Sequence, residues 1–267
     1  TGFTGDVGSC TAGTTSQAFR DSVVQRVNWY RRMAGLDVVS ERAAYSAATQ
    51  QTSLMMSAEG SLSHSPGGGW ACHTTTGATA AGKSNLALGV NGISAIDAYI
   101  RDPGGNNHAV GHRRTILYPQ LLEVGSGDVE SGGGSWAANT LHVFDDNLWG
   151  SRPDVREDRD FVAWPPSGYV PPDTVWGRWS FSLQGGDFSS ATVSVSDSLG
   201  AIAVQVLERI QPANPSSRIA PEPSIVWAVG GDTNSVLLPA PEDGDECYSV
   251  TIGGVKVGGS TQPDFNY

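Results

Sequence analysis

Residues 94–125 read SAIDAYIRDPGGNNHAVGHRRTILYPQLLEVG, and the order of features in this stretch decides the fold class. Ser94 is placed to cap a helix over Ala95–Arg101 that turns Ile96, Tyr99 and Ile100 inward. The run Pro103-Gly104-Gly105-Asn106-Asn107 breaks that helix, with the two asparagines supplying turn chemistry. A second short helix is expected over His108–Leu117, stopped by Pro119. LLEVGSGDV (121–129) then reads as a strand. After the turn ESGGGS, WAANTLHVFDD (136–146) reads as another.

Upstream, residues 1–16 are rich in Gly, Ser and Thr and read as a flexible arm. Phe19, Val23, Val27 and Tyr30 recur near a 3.6-residue period, and Gly35 stands where a helix would stop. A further helix is expected from near Ser40 to Gly60. Its small face (Ala43, Ala44, Ala47, Ala48) permits close packing. SLSHSPGGGW (61–70) follows as loop, and residues 66–93 read as irregular chain with a short extended piece at Asn85–Leu88. Helices early and strands late make residues 17–148 a layered unit of mixed structure rather than a Rossmann repeat.

DDNLWGSRPDVREDRD (145–160) is polar and charged, which puts a linker at 149–160. Over 161–267 the pattern becomes alternating: RWSFSL, ATVSVSD, AIAVQVL, SIVWAV, SVLLP and YSVTIGGVKV, separated by Gly, Pro, Asn and Asp. That is the pattern of a β-sandwich, read here as Ig-like. The chain is therefore α+β. Trp179 alternates with Phe181 and Leu183, as core residues do. Trp164 and Trp176 flank PPSGYVPP (165–172) and are the tryptophans expected to be exposed and able to stack on a sugar.

Lys and Arg total 16 against 27 Asp and Glu, a net charge of −11. Such a surface repels phosphate backbones, which argues against nucleic acid and anionic membranes as partners. No stretch reaches the roughly 20 apolar residues of a membrane span. The 34 glycines and the scarcity of Lys fit a secreted, bacterial-type protein, and a start at TGFTGDVGSC fits either a removed leader or a chain shortened at its amino terminus. The three cysteines leave one over if a disulfide forms. Cys10–Cys72 is the favoured pair, because it would pin the arm to a Gly-rich loop; Cys247 is then free.

His64 and His112 are 48 positions apart (112 − 64), and neither HExxH nor CxxC joins them. Spacing alone leaves a metal-ligating pair and a structural pair both open. Several motifs, in order, carry more: VNWYRRMAGL (27–36), LSH (62–64), SNLALG (84–89), AIDAYIRD (95–102) and GHRRTILYPQLLEVGSG (111–127). Across Gln17–Val143 this ordered set resembles the CAP superfamily, in particular its bacterial SCP-like extracellular branch.

The resemblance implies an α-β-α sandwich with a central cleft that commonly carries two histidines and two glutamates, the histidines able to bind a divalent metal such as zinc. His64 corresponds to the first histidine and His112 to that of the GHR segment. Lys83, Ser84 and Asn85 lie where the family often has Gly-Glu-Asn, so Ser84 replaces a carboxylate. Tyr99 and Asp102 fit the spacing of the second acid. The implied site is His64, Ser84, Asp102 and His112, with His64 and His112 as zinc ligands, water completing the shell, and Asp102 orienting an imidazole or acting as base. Ser84 as a nucleophile would lack a GxSxG elbow. His108, four residues before His112, would share its helix face as a third ligand or stand at the helix mouth. Arg113 and Arg114 read as a salt bridge across the fold or as an anion contact.

Two functions follow. One is a secreted metal-binding protein that receives a small molecule or peptide, with a metal-dependent hydrolase as its enzymatic version. The other is a non-catalytic extracellular module for lipid, peptide or cell-surface glycan.

Overall fold

The computed structural model describes the chain except residues 157–158, 212–221, 232–233 and 240–243. Two residues of the expected linker, 157 and 158, thus lie outside the described residues. Elements run in the order α1 (Gln17–Met33), β1 (Ser40–Glu41), α2 (Ala43–Glu59), α3 (Thr75–Ala81), β2 (Ser84–Leu88), α4 (Gly92–Arg101), α5 (Gly111–Ile116), β3 (Glu123–Val129) and β4 (Ala138–His142). They continue as β5 (Phe161–Trp164), β6 (Arg178–Leu183), β7 (Gly186–Asp187), β8 (Thr192–Asp197), β9 (Gly200–Ile202), β10 (Val204–Ile210), β11 (Ser224–Val229), β12 (Ser249–Gly253), β13 (Lys256–Val257), β14 (Ser260–Thr261) and β15 (Phe265–Asn266).

These elements form two compact units that do not follow chain order. The first is Thr1–Arg32, Asp37–Tyr99 and Gln120–Arg152; the second is Met33–Leu36, Ile100–Pro119 and Pro153–Tyr267.

The first unit is built around a sheet of order β1-β3-β4-β2, with β1 parallel to β3 and the other pairs antiparallel. Gly125 and Gly127 of β3 face α2. A Cβ on Gly127 would come within 3.0 Å of the backbone of Thr49 and Gln50, so only glycine lets the helix sit this close. The helix uses that proximity: Ser53 Oγ donates to Gly127 O (2.7 Å) and Thr140 Oγ1 (2.8 Å). The Gln50 side chain holds the backbone of Asp128 at both its N–H (3.0 Å) and its carbonyl (2.8 Å).

Ser126, Asp128 and Asn139 meet on the sheet's other face. Ser126 Oγ and Asn139 Nδ2 both donate to the Asp128 carboxylate at 2.7 Å, and Tyr99 OH donates to Asn139 Oδ1 at 2.9 Å. Asp128 Oδ1 also accepts Gly92 N at 2.7 Å, which starts α4 at Gly92, two residues before the expected Ser94 cap. Burial pushes the Asp128 carboxyl up, and these hydrogen bonds pull the other way. Asp97 joins α4 to α1 by accepting from Arg26 Nε (2.6 Å) and Tyr30 OH (2.7 Å). The layers are thus helix, sheet, helices.

Helix α2 ends at Gly60, whose φ of 67° is left-handed and whose N–H returns to Met56 O. Helix α3 was not expected, since its Thr, Gly and Ala residues show no apolar stripe. It is started by Thr74, whose hydroxyl accepts Gly77 N, and held by buried Ala80 and Ala81. Cys10 and Cys72 are bonded as expected, and Cys247 is free and exposed. Closing 62 residues contributes about 4 kcal/mol in the chain-entropy account.

The second unit contains antiparallel sheets of order β10-β11-β6-β5 and β15-β12-β8-β9, and a three-stranded sheet β14-β13-β7. One core joins the two larger sheets: Trp179 and Phe181 of β6, Ile225 and Trp227 of β11, Val195 of β8 and Ile252 of β12. This is the expected sandwich. Two details differ from the sequence reading. Trp164 (1% exposed) and Trp176 (7%) are buried and offer no stacking face. SVLLP forms no strand and contributes a single bridge, Trp176 with Leu237. Among the described residues no helix is long and apolar enough to cross a membrane.

Candidate functional site

Helix α4 ends at Arg101, and the next residue, Asp102, takes a left-handed φ of 51°. The turn through Pro103–Val110 brings the chain to α5. Val110 immediately before it has φ 42°, a conformation that costs a β-branched residue on the order of 1–3 kcal/mol. That strain is held by Asp102. Its fully buried carboxylate accepts His112 Nδ1 on one oxygen (2.8 Å) and His112 N on the other (3.0 Å). The bond to His112 N also explains why α5 starts at Gly111 and not near His108. His108 lies in the turn, not on His112's helix face.

A carboxylate only accepts, so His112 Nδ1 carries the proton, and in the neutral ring the lone pair is on Nε2. The imidazole is 27% exposed. In the other unit, His64 lies exposed in the loop between α2 and α3 with its Nδ1 2.9 Å from Ala81 O. A carbonyl likewise only accepts, so His64 has the same tautomer. Ser84 is buried in β2, and its hydroxyl donates to Ala80 O at 2.7 Å. Of the four predicted residues, Asp102 and His112 are in direct contact. His64 and Ser84 are each tied to the last residues of α3. Among the described residues there is no group of three or more His, Cys, Asp or Glu side chains able to hold a metal ion.

Three buried arginines surround the turn. Arg113 Nε donates to Ile100 O (2.6 Å) and its Nη1 to Ser180 Oγ (3.2 Å). Arg114 donates to Ser224 Oγ and Glu222 O, each at 3.0 Å. Burial lowers the Arg114 guanidinium to about 10, with Asp102 pulling it back up. Backbone carbonyls and serine hydroxyls therefore take much of the role expected of a salt bridge. Arg178 of β6, the third, is a residue the sequence reading missed; nothing in the alternation of RWSFSL marks it as buried.

His142, on β4, is the other histidine with a defined environment. It faces α2, with its ring stacked on Tyr45 at 3.8 Å. Burial, with Lys83 adding to it, pushes its imidazole down to about 4, while the Phe144 carbonyl and Asp145 and Asp146 oppose. The unfolded chain therefore binds a proton that the folded one refuses between about pH 6.5 and 4. Stability is full above that window and is lost as pH falls through it, by roughly 3 kcal/mol. His142→Phe keeps the stack and cannot titrate, so its denaturation midpoint should fall less over the same range than that of the parent. Equal slopes would refute the assignment.

Residues 24–142 match the family model described as CAP, the cysteine-rich secretory protein family. No curated protein matches the chain.

Proposed function

We propose that this chain, residues 24–142 of which match the CAP family model, is a secreted protein of that family in which His64 and His112 are each prepared as a ligand for a divalent cation, zinc, and which receives a small molecule or peptide. The Asp102–His112 pair is the observation that carries this. Histidines that ligate metals almost always donate their other ring N–H to a carboxylate or carbonyl, which fixes the tautomer and raises ligand basicity. His112 does so to Asp102 and His64 to Ala81 O. The donor set fits zinc, for which neutral imidazole is a common ligand, with water taking the positions the protein leaves open.

A bound zinc would act as a Lewis acid and lower the pKa of its water, which is what the hydrolase version requires. The protein's own share is orientation: Asp102 holds the His112 ring by two contacts, and the Ala81 carbonyl holds His64. Ser84, whose hydroxyl is directed to Ala80 O, is assigned a structural place in β2 and not the role of nucleophile.

Metal analysis after dialysis tests this. The parent should retain zinc, and the His64→Ala/His112→Ala double variant should retain none. A double variant with the parent's zinc content would sink the metal claim.

The non-catalytic module remains the second reading, favoured by a cavity of about 430 Å³ in the second unit. Pro165, Pro166, Tyr169, Val175, Tyr248 and Tyr267 line it, and Tyr169 is 84% exposed. That volume is in the range of small-molecule sites. With Trp164 and Trp176 buried, Tyr169 and Tyr248 become the aromatics offered to a glycan or peptide.

A further inference from the structure

We propose that Arg178, on strand β6, is the positioning residue for the Asp102–His112 pair, an inference that rests on assigning the functional role to His112. Arg178 is fully buried. Its Nη1 donates to Asp102 O (2.5 Å) and Asn107 O (2.9 Å), and its Nη2 donates to Gly104 O (3.1 Å). These three carbonyls belong to the turn between α4 and α5, which has no regular structure of its own and begins with a non-glycine residue at positive φ. A chain of that kind needs outside ties to keep one conformation.

The planar guanidinium supplies them in a fixed fork. A lysine ammonium is a compact point charge on a flexible stem and cannot reproduce three directed bonds to separate carbonyls. A second tie lies next to the first: Arg101 Nε donates to Ser235 O, and Ser235 Oγ donates back to Arg101 O, both at 2.8 Å. The order of control is therefore Arg178, then the backbone of Asp102, then the Asp102 carboxylate, then the His112 ring. Residues 178 and 235 lie well past residue 142, where the CAP match ends. The sandwich is thus part of what fixes His112 and not a separable passenger.

The test uses the full chain, metal-free, with nitrogen-15-labelled histidine. The His112 Nδ1–H donated to Asp102 should give a slowly exchanging proton resonance that Asp102→Asn abolishes. Arg178→Lys and Arg178→Met should each speed its exchange with water by roughly tenfold or more while the amides of β11 and β12 stay protected. Unchanged exchange in variants whose denaturation midpoints have fallen would overturn the proposal, since Arg178 would then be stabilising without positioning. If neither variant folds, native-state exchange on the parent decides. The Arg178 side-chain protons and His112 Nδ1–H should open in one event with the same denaturant dependence, and separate openings would overturn it. Because no zinc is present, a chain that binds no metal yet passes these tests would refute the metal reading alone.

Discussion

Gly127→Ala should destabilise the first unit by about 3 kcal/mol or more. A Cβ at this position meets the backbone of Thr49 and Gln50 inside 3.0 Å, and helix backbone cannot rotate away as a side-chain tip can. Relief requires α2 to lift off β3. That lengthens the Ser53 bond to Gly127 O and both Gln50 bonds to Asp128. Each of these is buried, so each broken partner is left without water to replace it. Urea denaturation of Gly127→Ala beside Gly132→Ala makes the comparison, since a Cβ on Gly132 has nothing within 4 Å. Coincident midpoints for the two variants would show that the helix does not pack on β3 through this glycine.

Asp102→Ala is the second change expected to have a large effect, on the order of 3–5 kcal/mol, the usual cost of removing one partner of a buried charged cluster. The variant loses both contacts to His112 and removes the negative charge that offsets burial at the Arg114 guanidinium. Asp102→Asn should be milder for stability, because its amide oxygen can still accept from the His112 backbone N–H while its NH2 takes the place of the oxygen that faced the ring. Its effect on the site is the sharper one. Without a carboxylate on Nδ1 the ring is no longer held in the tautomer that offers Nε2, and zinc affinity should fall by roughly 10–100-fold. Titration calorimetry with zinc, paired with thermal denaturation, separates the two effects. Parent-like zinc affinity in Asp102→Asn would remove Asp102 from the site.

What the residues revealed in advance, and what they hid, divides along physical lines. Features set by neighbours in sequence were legible. Gly35 and Gly60 stop helices where expected, and the alternation of RWSFSL and SIVWAV gave strands that do pair, as β6 and β11. The disulfide was legible because only one pairing pinned the arm to a Gly-rich loop. Features set by distant neighbours were not. The start of α4 is decided by Asp128, a side chain 36 residues away, and not by Ser94. Helix α5 was drawn too long because nothing local says that Asp102 will capture His112 N. Trp164 and Trp176 look exposed when judged by the prolines beside them, yet the second unit buries both. In the candidate site Asp102 and His112, both named from the sequence, lie in contact, whereas Arg178 had no signal at all. A buried arginine that serves backbone carbonyls leaves no partner acid in the sequence to betray it.

The two ties that hold the turn after α4 also set a timetable. A chain is made from its amino terminus, and Arg101 exists well before the residue that answers it: 76 residues separate Asp102 from Arg178, and 134 separate Arg101 from Ser235. At about 5–20 residues per second the second delay is on the order of ten seconds. During it the nascent turn has three carbonyls waiting for a guanidinium not yet synthesised, and Asp102 has no anchor for its left-handed backbone. Helix α2 waits too, with 78 residues between Gln50 and Asp128 and 87 between Ser53 and Thr140, but the 134 residues from Arg101 to Ser235 are the longest of these gaps, so the turn that leads to His112 completes its ties after α2 has met its sheet.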